Sequence, residues 1–170
     1  MIDNCRGFTL IELLITIAII VIVASIAVAS FQKMAINSSL KTAARDIAAD
    51  FAQLKARAIS GDRDATSGNI VGNRMYRISL NVAGNSYQLQ QCNNSGSPCG
   101  GWTTIQNKNL SGYANDIIFD SGVTNIANCD IQTRGTVSPW GTVALSNSRG
   151  STARIVINST GRTRVEFTLQ

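Results

Sequence analysis

The chain contains no histidine among its 170 residues. Histidine is the commonest general base and the commonest metal ligand, so its absence excludes Ser-His-Asp and Cys-His catalysis and leaves few metal sites to consider. A GxxxxGK[ST] phosphate-binding loop is also absent from the sequence. We therefore expect no enzyme, no cofactor and no metal site, and look for a structural or binding role.

Proline and glycine are both absent from residue 8 to residue 60, and Gly61 supplies the first helix stop. In the second half of this stretch, apolar residues recur at spacings of three and four, which places them on one helical face. These are Leu40, Ala44, Ile47, Phe51, Leu54 and Ala58, with Lys41, Arg45, Asp46, Asp50 and Lys55 largely elsewhere. The pattern predicts one helix of about 50 residues whose second half needs a partner surface.

Charge is nearly absent from the first half of this helix, where Glu12 is the only charged residue from position 8 to position 30. About 20 apolar residues are enough to span the hydrocarbon core of a bilayer. A carboxylate in such a segment is costly unless it is paired, so Glu12 is a candidate functional residue. If the chain is cut between Gly7 and Phe8, the new amino group lies about one helical turn from Glu12.

The start of this apolar segment resembles the processing site of type IV prepilins, and reads RGFTLIEL at residues 6–13. The resemblance implies cleavage after Gly7 by prepilin peptidase and N-methylation of Phe8. It further implies that Glu12 guides docking to other pilins or pseudopilins in a filament, with an inner-membrane assembly platform as a partner. The helix-kinking proline of major pilins is absent, which favours a minor pilin or pseudopilin.

Two other interpretations of the amino terminus compete with this one. Ala27-Val28-Ala29 fits the A-x-A cleavage site of an ordinary secretory signal peptide, and the apolar segment also fits a plain transmembrane anchor. Against a signal peptide, the single basic residue of the leader, Arg6, is offset by Asp3, and Glu12 is misplaced in a hydrophobic core. The prepilin interpretation is the one we favour.

The remainder of the chain predicts β-strands. A polar, glycine-rich loop at 61–73 precedes a hairpin formed by residues 75–82 and 86–90. Further strand-like runs lie at 102–105, 117–120, 129–133, 142–145, 153–158 and 163–168. The expected fold is α+β, the type IV pilin fold, with an antiparallel sheet on the amphipathic face of the helix.

These patterns divide the chain into four segments. We expect a leader at 1–7, a transmembrane and filament-core helix at 8–30, an amphipathic helix half at 31–60 and a β-rich globular domain at 61–170. The expected location is the bacterial inner membrane, crossed once, with the globular domain in the periplasm. Loss of the leader removes one acidic and one basic residue, so the net charge stays at +5.

Cysteine placement is informative because Cys5 leaves with the leader and an odd number remains: Cys92, Cys99 and Cys129. Cys92 and Cys99 flank a turn-rich loop that can bring them together, and an oxidising periplasm would preserve such a disulfide. Cys129 is then buried and free, or it is the true partner of one of the others. We favour the pair Cys92–Cys99.

The carboxy-terminal part resembles the GspH/FimT branch of minor pilins and pseudopilins, through IIFD at 117–120, GTV at 135–137, ARIVIN at 153–158 and GRTRV at 161–165. That branch includes secretion pseudopilins, minor pilins that start or cap a filament, and competence pilins that capture DNA. Candidate contacts to double-stranded DNA are Arg149, Arg154, Arg162 and Arg164. If 162–168 is a strand, Arg162 and Arg164 project from one face and can grip phosphates.

Overall fold

The computed structural model describes residues 9–61, 74–93, 99–114 and 116–170, without the side chains of residues 26–30. The expected processing residues, the leader, and most of the predicted 61–73 loop lie outside these ranges. The chain divides into two units, Met1–Ile36 and Asn37–Gln170.

One α-helix, α1, covers Leu10–Ser60, as the absence of proline and glycine predicts. Gly61 follows it with a positive φ of 75°, the left-handed conformation in which glycine commonly ends helices. In the first unit, the large apolar side chains from Leu10 to Val23 are between 50% and 76% exposed. This part of the helix is apolar on all sides, and the described residues of its own unit do not cover these side chains.

The predicted membrane-spanning segment, 8–30, includes residue 8 and the side chains of residues 26–30, which lie outside the described part of the chain. Among the residues that are described, no helix is long and apolar enough to cross a membrane.

The second unit contains nine described strands and one short 3-10 helix. The strands are β1 (Tyr76–Asn81), β2 (Ser86–Cys92), β3 (Trp102–Asn109), β4 (Ile118–Phe119), β5 (Asn128–Ile131), β6 (Val137–Ser138), β7 (Gly141–Ser146), β8 (Thr152–Ile157) and β9 (Thr163–Thr168). The 3-10 helix covers Leu110–Gly112. It and β6 were not predicted, because segments of two or three residues carry no periodicity.

The strands form two antiparallel sheets. The five-stranded sheet has the order β3-β2-β1-β5-β6, and the four-stranded sheet has the order β4-β7-β8-β9. The predicted hairpin is β1–β2, with Tyr76 opposite Gln91 and Asn81 opposite Ser86. The α+β fold is therefore confirmed, with its strands shared between two sheets.

The predicted apolar face of α1 is buried. Its members Leu40, Ala44, Ile47, Phe51, Leu54 and Ala58 are each at most 2% exposed, and they form one core cluster with the inner faces of both sheets. In β8, for example, Ala153, Ile155 and Ile157 are buried and alternate with outward residues, as a half-buried strand requires. Burying each large aliphatic side chain stabilises the fold by about 1.5–3 kcal/mol.

Polar contacts connect the four-stranded sheet to both ends of the part of α1 that belongs to this unit, residues 37–60. At one end, Asn147 in the β7–β8 turn donates from Nδ2 to Asn37 Oδ1 at 3.2 Å. At the other end, Lys55 Nζ donates to the carbonyl oxygens of Thr160 and Gly161 in the β8–β9 turn, at 2.9 and 3.0 Å. The two turns therefore lie at opposite ends of the sheet.

Candidate functional site

The first helical turn holds Glu12 in a reciprocal hydrogen-bonded pair with Thr9. Glu12 Oε2 accepts from the Thr9 backbone N at 2.9 Å and from Thr9 Oγ1 at 2.8 Å, and the Glu12 N–H donates to Thr9 Oγ1 at 3.3 Å. This is a capping box, which satisfies two of the amide donors left free at a helix start. The T-x-x-E spacing signals it in the sequence, but our sequence analysis gave Thr9 no role.

The capping box places the Glu12 carboxylate at the amino-terminal end of the helix. The partner expected from the sequence, the Phe8 amino group, and the processing residue Gly7 lie outside the described residues. Thr9 is the described residue nearest in sequence to the expected cleavage position, and it holds the Glu12 carboxylate at the first turn of the helix.

Arg154 and Arg164 lie together on the outer face of the four-stranded sheet. Both side chains are exposed, and in the β8–β9 register Arg164 is opposite Val156 and Glu166 is opposite Arg154. Arg164 Nη2 is paired with Glu166 Oε1 at 2.7 Å, with exposures of 78% and 41%. Because of that carboxylate, the two cations on this face are partly neutralised.

Arg162 lies one residue before the strand that carries Arg164, so the strand over 162–168 on which their shared face was predicted is not formed in full. Strand β9 begins at Thr163, and Arg162 belongs to the preceding turn. Its N–H donates to Asn158 Oδ1 at 2.8 Å, and its carbonyl accepts from the Asn158 N–H at 3.1 Å. Gly161 has a φ of +67°, and this left-handed residue closes the turn before the strand starts.

Arg149 is separated from Arg162 by the full length of β8. It lies in the β7–β8 turn, where its N–H donates to Asn147 Oδ1 at 3.1 Å. A six-residue strand spans about 20 Å at roughly 3.3 Å per residue. The four predicted arginines therefore fall at three places, and Arg154 and Arg164 are the two that lie within paired strands.

The structure joins Cys92 and Cys99 by a disulfide, with their Cα atoms 5.7 Å apart. Cys129 is free and 1% exposed in β5. Burial, with a smaller contribution from the Asp130 charge, raises the pKa of the Cys129 thiol to about 12. A thiol in this environment stays protonated at neutral pH and is a poor nucleophile or metal ligand.

Asp50 is buried, although the sequence placed it away from the apolar face. It is 7% exposed, and its carboxylate accepts from Lys108 Nζ at 2.7 and 2.8 Å and from the Tyr87 hydroxyl at 2.7 Å. Burial, supported by the Asp50 carboxylate, raises the pKa of Tyr87 well above its usual value. The signal was its spacing, three residues after Ile47, which puts it on the buried face.

Tyr113 forms a second tie of the same kind. Its hydroxyl donates to Asp46 Oδ2 at 2.8 Å, and burial followed by this hydrogen bond raises the pKa of Tyr113 to about 12. Together, Asp46 and Asp50 connect the helix to strands β2 and β3 and to the residue after the 3-10 helix. These contacts are structural, and they offer no nucleophile or base to a substrate.

A third cluster lies on the outer face of the five-stranded sheet. Arg77 Nη2 pairs with Asp130 Oδ2 at 2.7 Å, and its Cζ lies 4.1 Å from the centre of the Trp102 ring. The hydrogen bond to Asp130 raises the pKa of Arg77 above its ordinary value. In the described part of the chain, no group of three or more Cys, Asp or Glu side chains could hold a metal ion.

Comparison with known proteins gives two findings. Residues 2–28 match the family model of the prokaryotic N-terminal methylation motif. No curated protein sequence matches the chain.

Two solved structures of the minor pseudopilin EpsH from the Type 2 Secretion System of Vibrio cholerae share the fold. One is 15% identical with a TM-score of 0.55, and covers 75% of this chain and 96% of that chain. The other is 13% identical with a TM-score of 0.50, and covers 76% of this chain and 94% of that chain.

The chain therefore begins with a prokaryotic N-terminal methylation motif and shares its fold with a minor pseudopilin. Its globular fold is of the GspH type, the fold of the EpsH minor pseudopilin. The resemblance drawn from RGFTLIEL and from the carboxy-terminal motifs is confirmed at this level.

Proposed function

We propose that the chain is a minor pilin or pseudopilin subunit, which assembles through its N-terminal helix into a type IV pilus or a type II secretion pseudopilus, at the tip or as an initiator. The observation that carries this proposal is the methylation motif at residues 2–28, which includes the exposed apolar start of α1 and precedes a pseudopilin-type globular fold. An exposed helix that is apolar on all sides needs lipid or other helices around it.

The proposed life cycle follows the segment boundaries expected from the sequence. Prepilin peptidase removes residues 1–7 and leaves an N-methylated Phe8. The helix at 8–30 then holds the protein in the inner membrane, with residues 61–170 in the periplasm. An inner-membrane platform later extracts the subunit into a bundle of like helices, and no catalytic step by the chain itself is involved.

Glu12 has the assembly role in this proposal. A carboxylate in a hydrocarbon environment costs several kcal/mol unless it is paired, so an amino group at Phe8 of the same or a neighbouring subunit favours docking. The capping box supports this role, because Thr9 already orients the carboxylate towards the end of the helix.

The proposal predicts both the mature terminus and the effect of removing the carboxylate. Mass analysis of membrane-extracted protein should show N-methyl-Phe8 as the first residue.

Glu12→Ala should be processed normally but incorporated poorly into filaments, whereas Thr16→Ala, one turn further on, should be incorporated like the wild type. A mature terminus at Ser30 would show that the segment is a signal peptide, and normal incorporation of Glu12→Ala would remove Glu12 from the assembly step.

A second candidate function is DNA capture in natural transformation. The observation that favours it is the exposed pair Arg154 and Arg164 on one sheet face. Two guanidinium groups on one face can contact successive phosphates of a duplex without reading its sequence. Glu166 weakens this surface, so DNA capture remains the alternative to a purely structural subunit.

A further inference from the structure

Three segments of the globular unit meet at the end of the fold where α1 stops: residues 55–61, 132–140 and 158–162. Lys55 Nζ contacts the carbonyls of Thr160 and Gly161. The N–H of Val137 donates to the Ser159 carbonyl at 2.9 Å. A Cβ on Gly135 would lie 2.8 Å from Ile59 Cδ1, so the helix end and the 132–140 segment are in direct contact.

Two large apolar side chains are exposed at this end. Trp140 is 64% exposed, and Ile59 is 52% exposed. Trp140 precedes Gly141, which is opposite Ile157, so its backbone lies at the same end of the four-stranded sheet as the β8–β9 turn. Single exposed apolar residues are ordinary on protein surfaces, but a tryptophan and an isoleucine at one end of a small domain are a more selective feature.

The charged residues in the described segments at this end all have one sign, while Asp62 and Asp64, which follow Gly61 in the sequence, lie outside the described residues. Arg57, Arg134 and Arg162 are exposed, and Lys55 is held by the carbonyl groups of the turn. The described segments 55–61, 132–140 and 158–162 contain no aspartate or glutamate. A basic residue near a helix C-terminus is common, which accounts for Arg57 but not for Arg134 and Arg162, which lie in turns between strands.

We propose that this basic end, defined by Ile59, Trp140, Arg57, Arg134 and Arg162, binds a protein partner whose contact surface carries carboxylates around an apolar centre. Tryptophan and arginine are the residues most enriched at the energetic centres of protein interfaces. Charge complementarity requires a negatively charged surface on the partner. The net charge of +5 on this chain makes other copies of it poor candidates.

A protein partner fits this end better than a nucleic acid does. Trp140 could stack on a base, but the sheet face beyond Arg162 carries the Arg164–Glu166 pair, and this carboxylate interrupts a positive track for a phosphate backbone. The contact is separate from the helix bundle of the proposed function, because it uses only residues of the globular unit.

The test uses the full chain in detergent and a fluorescein-labelled peptide in which glutamates flank a Phe-Leu pair. Fluorescence anisotropy should show saturable binding, and an analogue with glutamine for glutamate should bind at least about tenfold more weakly. Trp140→Ala and the double variant Arg134→Gln/Arg162→Gln should each weaken binding of the acidic peptide about tenfold. The matched control Arg45→Gln/Arg149→Gln removes two exposed arginines elsewhere and should stay within about twofold of the wild type.

Several results would overturn the proposal. These are no binding of the acidic peptide, equal binding of its glutamine analogue, or equal loss in the control and the Arg134/Arg162 variants. A single-stranded oligothymidylate or phosphatidylglycerol vesicles that bind more tightly than the peptide, with the same dependence on Trp140, would assign the surface to nucleic acid or lipid instead. Circular dichroism of each variant checks that a loss of binding does not come from unfolding.

Discussion

Asp50 shows how one buried charge can fasten a helix to a sheet. Its carboxylate is nearly inaccessible, and Lys108 from β3 and Tyr87 from β2 are its partners. Removing one partner of a buried ion pair costs more than removing both, because the remaining charge stays desolvated. The Lys108 and Asp50 side chains are 25% and 10% exposed, so solvent screens the pair only in part.

Lys108→Met should therefore lower the free energy of unfolding by about 2–3 kcal/mol, somewhat less than for a fully buried pair. The measurement is urea unfolding of the full chain in detergent, followed by circular dichroism. Arg57→Met, which removes an exposed cation from the same helix, is the control and should change the midpoint little. An unchanged midpoint for Lys108→Met would show that the ion pair contributes nothing to stability.

At the scale of elements, the β8–β9 turn depends on Gly161 for its contact with the rest of the domain. Its φ is +67°, and a Cβ at this position would lie 2.7 Å from the Gly135 carbonyl oxygen and 3.1 Å from Lys55 Cδ. The glycine of the GRTR sequence therefore has a structural reason to be there, independent of any ligand. The same turn carries Arg162 and receives the Lys55 hydrogen bonds.

Gly161→Ala should destabilise the protein by about 2–3 kcal/mol, from the left-handed backbone and the collision with Gly135 together. Gly112→Ala is the matched control, because a Cβ there meets nothing within 4 Å and its φ is not positive. Thermal unfolding of both variants measures the difference. If Gly161→Ala unfolds at the same temperature as Gly112→Ala, the turn is not held as tightly as its contacts indicate.

The sequence predicted those elements whose periodicity is long, and missed what depends on contacts between elements. The buried helix face from Leu40 to Ala58 could be predicted from the sequence, as could the alternation of buried and outward residues in β1 and β8. In each case burial repeats along one face of the element. The division into two sheets could not be predicted from the sequence, because it depends on pairing between distant segments. Asp50 was misplaced because a partner 58 residues away compensates its burial.

At the scale of the whole molecule, the exposed charges are unevenly distributed between two surfaces. The basic end has cations without carboxylates in its described segments, while the outer face of the four-stranded sheet has Arg154 and Arg164 beside Glu166. The second surface presents two arginines on neighbouring strands, with Glu166 beside them as the carboxylate that opposes binding of a nucleic-acid backbone. The DNA-capture alternative can therefore be tested separately from the protein contact proposed for the basic end.

If the outer face captures DNA, the full chain in detergent should retard duplex DNA of any sequence, and log affinity should fall linearly with log salt, by roughly 0.9 per phosphate neutralised. Arg154→Gln/Arg164→Gln should abolish most of this binding and flatten the slope. Glu166→Gln should strengthen binding, because it removes the carboxylate that pairs with Arg164. Arg149→Gln, at the far turn, is the control for loss of one positive charge. If the wild type fails to retard DNA at low salt, or if Glu166→Gln leaves the affinity unchanged, the two arginines are solvated edge residues and the structural subunit stands without the DNA role.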